Sequence, residues 1–279
     1  MSYFWRRAGL VVVSGGAYAA ATYLTYSYVT AGKKDQERVM EEVTTTPGFY
    51  TNDPCRTRTF QKIAYGYDDQ IDRDEFVMGI NLLRRALLYF HAKGKVLEVG
   101  AGTGRNVSYY PRSVDKIVMT DASDQMLERA QAKIKRKAQN QKFETMVADA
   151  ADLSKLFPDQ SFDTVVDTFG LCSFDDPVVV LKEMQRVCKP DGKILLLEHG
   201  RSKSYEGLTK YLDHHAERHA KNWGCVWNRD IDQIVKEAGL KLERKDTWHF
   251  GTTYYVVCRP NHLSQSQIAD TNSKVMKSA

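Results

Sequence analysis

Apolar residues along this chain fall into short dense blocks alternating with longer blocks of helical spacing. Val96, Leu97 and Val99 form one dense block, and Ile117, Val118 and Met119 form a second. Blocks of this length bounded by polar residues predict buried strands. Phe143 to Val147, Phe162 to Thr168 and Ile194 to Leu197 repeat the pattern. Leu240 to Leu242 and Tyr254 to Cys258 end it, the last pair as antiparallel neighbours. Between the strands the period changes. Met126, Leu127, Ala130 and Ile134 share one face of a helix that begins at Asp124 behind a Ser123 cap. Val178 to Val187 reads as a helix, as does Ile231 to Ala238, which Gly239 ends. Gly104 to Tyr110 can open a further helix, and Pro190-Asp191-Gly192 reads as a turn. Strands alternating with helices predict an α/β fold with a doubly wound sheet. Ligands then sit at the carboxyl ends of the strands, where Glu98, Asp121, Asp149 and Phe169 fall.

The N-terminal pattern is different. No residue from Ala8 to Gly32 is charged, a run long enough to cross a bilayer. Arg6 and Arg7 precede it, Lys33 and Lys34 follow it, and Tyr3, Trp5, Tyr26 and Tyr28 lie near its ends. A single transmembrane helix is the expectation, with a cleaved signal peptide or a mitochondrial presequence as alternatives. Gly15 with Ala19, and Gly16 with Ala20, have the spacing that packs one membrane helix on another. The chain thus divides into a short basic N-terminus (1–7), a membrane anchor (8–32), a polar linker (33–60), a domain (61–260) and a polar tail (261–279) read as disordered.

Charge and cysteine usage add bounds. The formal net charge of +5 demands no acidic partner. Lys133, Lys135, Arg136 and Lys137 read as a solvated helix face, so no nucleic acid is expected. Cysteines 55, 172, 188, 225 and 258 form no Cys-x-x-Cys pair and no disulfide framework.

The candidate chemistry begins where the first strand ends. Glu98-Val99-Gly100-Ala101-Gly102-Thr103-Gly104 lets the backbone approach a nucleoside without a Cβ in the way. Asp121 ends the second strand, the usual place for an acid that binds ribose hydroxyls. A dinucleotide site would need a third glycine at Arg105 or Val107 and has none. Glu98 would repel a diphosphate, whereas it suits a ligand with an amine. This run resembles the first motif of the class I S-adenosylmethionine-dependent methyltransferases. Asp121, Val147-Ala148-Asp149-Ala150, Phe162 to Asp167 and Lys189 to Glu198 resemble the later motifs, in order. The resemblance covers roughly residues 60 to 260. It implies a Rossmann-like, mostly parallel seven-stranded sheet and S-adenosyl-L-methionine as cofactor. It also implies Glu98, Gly100, Ala101, Gly102, Gly104, Asp121, Ala122, Asp149, Ala150 and Phe169 as cofactor-binding residues.

Methyl transfer needs alignment and exclusion of water more than it needs a nucleophile. Tyr67, in Tyr65-Gly66-Tyr67-Asp68, resembles the tyrosine with which related enzymes cover the cofactor; alternatively it packs the linker on the core. His199, after the fifth strand, is the general-base candidate or else a structural histidine. Phe169 to Ser173 should line the acceptor side, with Cys172 read as a small buried residue rather than a reactive one. Trp223 and Trp227 either wall an acceptor pocket or plug the core, with Asn228 as a helix cap. His215, His219 and Cys225 have a spacing that can bind zinc, but they lack a second clear ligand pair, and no metal is expected.

Leu197 to Arg201, Trp223 to Asn228 and the apolar N-terminus together resemble the Oms-type methyltransferase-like proteins of the mitochondrial inner membrane. They also resemble membrane-anchored thiol methyltransferases and quinone-pathway methyltransferases. This implies a small or lipid-like acceptor at the mitochondrial inner membrane, or alternatively at the endoplasmic reticulum membrane. A second implied role is as an assembly factor for respiratory complexes that keeps the cofactor fold without depending on turnover.

Overall fold

The computed structural model describes residues 56–137 and 140–261. The membrane anchor, the Gly15/Ala19 and Gly16/Ala20 pairs, most of the linker and the polar tail lie outside the described residues. Among the described residues no helix is long and apolar enough to cross a membrane.

Three helices, α1 (Arg56–Ile63), α2 (Tyr67–Val77) and α3 (Ile80–His91), precede the first strand. Helix α1 begins inside the stretch read as linker. There follow β1 (Gly94–Glu98), β2 (Val114–Asp121), α4 (Asp124–Ile134), β3 (Phe143–Val147), β4 (Phe162–Thr168), α5 (Pro177–Val187) and β5 (Cys188–His199). Then come α6 (Glu206–Trp223), α7 (Ile231–Glu237), β6 (Lys241–Trp248) and β7 (Thr253–Arg259). The strands form one seven-stranded sheet in the order β3-β2-β1-β4-β5-β7-β6. The first five are parallel neighbours, and β7 runs antiparallel to both β5 and β6.

The central strands are apolar throughout because both faces of the sheet are covered. Leu97, Val165 and Leu196 face one core with Leu181 and Met184 of α5 and Ile231 and Ile234 of α7. Their neighbours Val96, Val166 and Leu195 face a second core with Leu87 and Leu88 of α3. Caps fix the helix starts. Ser123 accepts from the Met126 amide ahead of α4, and Asp176 accepts from Val178 and Val179 ahead of α5. Asp230, not Asn228, caps α7 by accepting from the Gln233 amide.

Two local expectations are corrected. No helix opens at Gly104; the segment to Tyr109 is a series of turns, in which Val107 N bonds Gly104 O (3.2 Å) and Tyr109 N bonds Asn106 O (2.9 Å). The side chains of Arg105 and Asn106 are drawn into an ionic network, described below, in preference to a helical repeat. Pro190-Asp191-Gly192 is not a turn ahead of a strand but lies within β5. The ladder takes up the extra residues as an irregularity between the Phe162–Cys188 and Thr164–Lys193 pairs.

Candidate functional site

β1 delivers Glu98 to the carboxyl edge of the sheet, and the glycine run starts there. Gly102 has φ +53, and a Cβ built on it would meet nothing within 4 Å. Gly104 has φ +75 for a different reason: a Cβ there would lie 2.9 Å from Ala130 Cβ, so the loop packs tightly on α4. The first glycine opens onto free space, and the second lets the loop sit down on the helix.

Asp121 holds the loop in that shape. Its Oδ2 accepts from Gly102 N (2.8 Å) and its Oδ1 from Ser123 N (2.9 Å). Burial raises its pKa, and the two amides oppose the rise. Each oxygen retains a lone pair for a hydroxyl donor. Ala122 and Asp149 are exposed beside it at the ends of β2 and β3, with Val147 exposed between them; Ala101 and Ala150 are buried beneath. Asp149 Oδ1 accepts from Ala151 N (2.9 Å), which shapes the turn after β3.

Glu98 is buried at 2 % exposure. Its Oε1 accepts from Asn106 Nδ2 (3.0 Å) and its Oε2 from the Tyr110 hydroxyl (2.6 Å). Burial outweighs those bonds and raises its pKa to about 7. The folded state therefore binds a proton more readily than the unfolded chain, so this group's contribution to stability is largest in acid. It is lost as pH rises from about 4.5 to about 7. A Glu98→Gln variant should show a shallower fall in unfolding free energy across that window, the gap reaching about 3 kcal/mol by neutral pH. Denaturant titrations at several pH values measure this; parallel curves for variant and parent would refute it.

Sequence reasoning missed the group that links the first helices to this loop. Asp68 of α2 accepts from Thr103 Oγ1 (2.6 Å) and pairs with Lys133 of α4 (2.5 Å). Glu75 of α2 pairs with Arg105 (2.7 Å) and with Arg84 of α3 (2.7 Å). Arg84, 3 % exposed, also donates to Thr168 Oγ1 (2.7 Å) and Asn106 Oδ1 (3.2 Å) and lies over the Phe169 ring (4.9 Å). The α2 helix is thereby laid across the glycine loop with Tyr67 at its start. Tyr67 is partly buried, and its ring meets Phe60 edge-on at 6.5 Å. Burial lifts its pKa above the usual phenol range, so it is neutral at working pH and is suited to covering a ligand rather than accepting a proton. A faint signal was present in the sequence: the acids Asp68, Asp72 and Glu75 recur at helical spacing, which reads as a solvated face until the loop is placed against it.

On the β4–β5 side, Phe169 has φ +59, a strained conformation for a residue with a side chain. Its ring stands 5.4 Å from that of His199. His199 Nε2 lies 2.8 Å from Cys225 Sγ, and Cys172 Sγ is close to both. His215 and His219 are not part of this group. His219 stacks on Trp227 (3.9 Å, 13°), and burial lowers its pKa to about 4. Trp227 Nε1 donates to Leu212 O (2.9 Å), and Asn228 bonds Asp213, so this segment braces α6. Asp167 and Glu198 are wholly buried in adjacent strands; burial raises both, helped by Cys172 beside Asp167 and by Asp167 beside Glu198, so the pair holds a proton.

A family model described as a methyltransferase domain matches residues 97–196, the stretch running from β1 through the glycine loop into β5. Residues 97–196 therefore carry a methyltransferase domain. Among named proteins, the mitochondrial methyltransferase OMS1 of Saccharomyces cerevisiae is 36% identical over 222 residues, covering 74% of this chain and 47% of the relative. The phosphatidylethanolamine N-methyltransferase of Cereibacter sphaeroides is 37% identical over 117 residues (42% of this chain, 56% of the relative). The ubiquinone/menaquinone biosynthesis C-methyltransferase UbiE of Shewanella frigidimarina is 32% identical over 141 residues (50% and 55%). The chain therefore spans about half the length of these curated relatives. The fold also matches the methyltransferase complexed with the Trm112 activator of Haloferax volcanii, at TM-score 0.57 and 18% identity over 73% of this chain and 98% of that one. It matches a S-adenosylmethionine-dependent methyltransferase of Thermotoga maritima at TM-score 0.53 and 18% identity over 72% and 100%.

S-adenosylmethionine is the methyl donor of such a domain, and the residues present fit it. The missing Cβ of Gly102 leaves room against the backbone, Asp121 keeps acceptor capacity for hydroxyls, and Glu98 is a buried acid whose bonds to Asn106 and Tyr110 leave it lone pairs for an amine. Asp121→Ala should weaken cofactor affinity by at least tenfold, because it removes both the hydroxyl acceptor and the tether on Gly102 N. Isothermal titration reads this, and unchanged affinity would count against Asp121 as a cofactor ligand.

Proposed function

We propose that this domain methylates a small or lipid-like acceptor with S-adenosylmethionine, in mitochondria and tethered to the inner membrane by residues 8–32. The observation that carries the reading is the glycine loop, tied to Asp121 and open at Gly102. The bound cofactor supplies a methyl group on a sulfonium, and the chain's task is to orient it and keep water away. Glu98, Gly100, Ala101, Gly102, Gly104, Asp121, Ala122, Asp149, Ala150 and Phe169 form the cofactor cradle. Tyr67 covers it, held there by Asp68 on Thr103. His199 borders the acceptor side beyond Phe169.

The acceptor class rests on the relatives. One is named for a phospholipid and another for ubiquinone and menaquinone. The location follows the relative named as mitochondrial and the uncharged run from Ala8 to Gly32. The pairs Gly15/Ala19 and Gly16/Ala20 would allow a membrane-protein partner on that segment.

The test is to incubate membranes from cells with and without the full chain with methyl-labelled S-adenosylmethionine, then to follow label by mass spectrometry. Label in a lipid-extractable product that requires the protein supports the reading. Cellular function that survives complete loss of cofactor binding would overturn it in favour of the assembly-factor role.

A further inference from the structure

The structure assigns a binding site for one zinc-class divalent metal ion to Cys172, His199 and Cys225. The sequence offered His215, His219 and Cys225 for such a role, and the fold replaces both helical histidines with one residue at the end of β5. Cys172 follows β4, His199 ends β5 and Cys225 follows the α6 C-cap, so segments far apart in sequence converge on one point. The Sγ, Nε2 and Sγ atoms all lie within 4.8 Å of one another, and His199 Nε2 is 2.8 Å from Cys225 Sγ. A tetrahedral ion at ordinary Zn–S and Zn–N lengths separates its ligand atoms by about 3.5–4 Å, so the His199–Cys225 pair at 2.8 Å would open by about 1 Å to admit it. Small rotations of the three side chains would close the shell.

Two further features support the assignment. The cysteine segments are fixed to each other, since Val226 N donates to Cys172 O (2.9 Å) and Gly224 turns the chain at φ +68. Beside them, the wholly buried carboxyls of Asp167 and Glu198 have no well-formed hydrogen bond. Coordination takes both sulfurs as thiolates, their protons passing to solvent. Soft sulfur with imidazole selects zinc or cobalt over calcium or magnesium. Three protein ligands leave a fourth position, as in zinc sites that take an outside ligand. Tyr67 lies near enough to Cys172 and Cys225 to interact with both electrostatically.

The experiment uses the reduced, chelator-treated full chain titrated with cobalt(II). The expected result is saturation at one equivalent, with the visible d–d bands of tetrahedral cobalt and a near-ultraviolet thiolate-to-cobalt band, all bleached by one equivalent of zinc. Cys172→Ser, Cys225→Ser and His199→Gln should each weaken cobalt binding at least tenfold. His219→Ala and Cys258→Ser should retain it. Each variant's fold is checked by its melting transition, and the wild-type spectrum stands without any variant. Absence of the tetrahedral and thiolate bands in wild type would overturn the assignment, as would bands that persist in the Cys172→Ser/Cys225→Ser double variant. The readout is independent of methyl transfer, so failure here leaves the cofactor reading untouched, and the reverse also holds.

Discussion

A Gly102→Val chain loses S-adenosylmethionine binding while its domain stays folded. The valine Cβ would enter space in which no protein atom lies within 4 Å, so the substitution creates no clash in the domain itself. Its direct penalty is conformational: φ is +53 there, and a side chain in that region costs about 1–2 kcal/mol, somewhat more for a β-branched one. A folded domain of this size tolerates that loss. The cofactor does not tolerate the branched side chain, because the space it fills is the space the loop leaves for the ligand. Affinity should fall by at least a hundredfold, with Gly102→Ala intermediate. Gly104→Val provides the contrast: its Cβ would fall 3.0 Å from the backbone Cα of Ala130, so that variant should unfold before binding can be measured. Calorimetric titration and a melting curve for each variant separate the two effects. Undiminished binding by Gly102→Val would mean that the loop does not hold the cofactor.

Arg84→Met should destabilise the domain by about 3 kcal/mol, within the range for breaking a buried ion pair. Arg84 is 3 % exposed and donates to Glu75, Asn106 and Thr168. Methionine fills much of its volume and supplies none of those donors. Glu75 keeps Arg105, which holds the loss near the lower end of that range. For a domain of this length the melting temperature should drop by about 10 °C. The pH dependence identifies the cause. Burial alone would raise the Glu75 pKa, but Arg84 and Arg105 overcome it and hold Glu75 below the usual carboxylate range. A depressed carboxylate contributes stability above its unfolded pKa and loses that contribution as pH falls through the folded value. The deficit of Arg84→Met should therefore be largest near neutrality and shrink in acid, where Glu75 is protonated. Glu75→Gln added to Arg84→Met should flatten the remaining pH dependence, since the titrating group is then gone. An equal deficit at all pH values would point to packing rather than charge. The double variant also tests the coupling of α2 to the glycine loop, since Glu75 joins Arg84 to Arg105.

The strands and the capped helices were legible because their causes are local. Val96 and Leu97, or Val165 and Val166, must be apolar in succession when a sheet is covered on both faces. Ser123 caps α4 through an amide only three residues away. The glycine run and Asp121 were legible as one unit for a similar reason: a short backbone segment and one carboxylate make it, and the hydrogen bond from Gly102 N to Asp121 joins them directly.

What lay beyond the sequence depends on partners far apart along the chain. Asp68 is an ordinary surface acid until Thr103 and Lys133 meet it, and Arg84 is an ordinary helix cation until Glu75, Asn106 and Thr168 surround it. Arg105 and Asn106 leave the helix that their spacing permits because these bonds are available only in the folded domain. His199 and Cys225 illustrate the same limit. Local spacing singled out His215 and His219, but only the meeting of the Cys172 and Cys225 segments, through Val226 N and Cys172 O, decides which imidazole reaches the sulfurs. The sequence alone determined the strands, helices α4, α5 and α7, the glycine loop with its aspartate and the uncharged N-terminal run, since each is written in neighbouring residues. Tertiary structure alone decided the cover over that loop and the thiol–imidazole cluster, because burial and charge pairing are properties of residues that meet only when the sheet has closed.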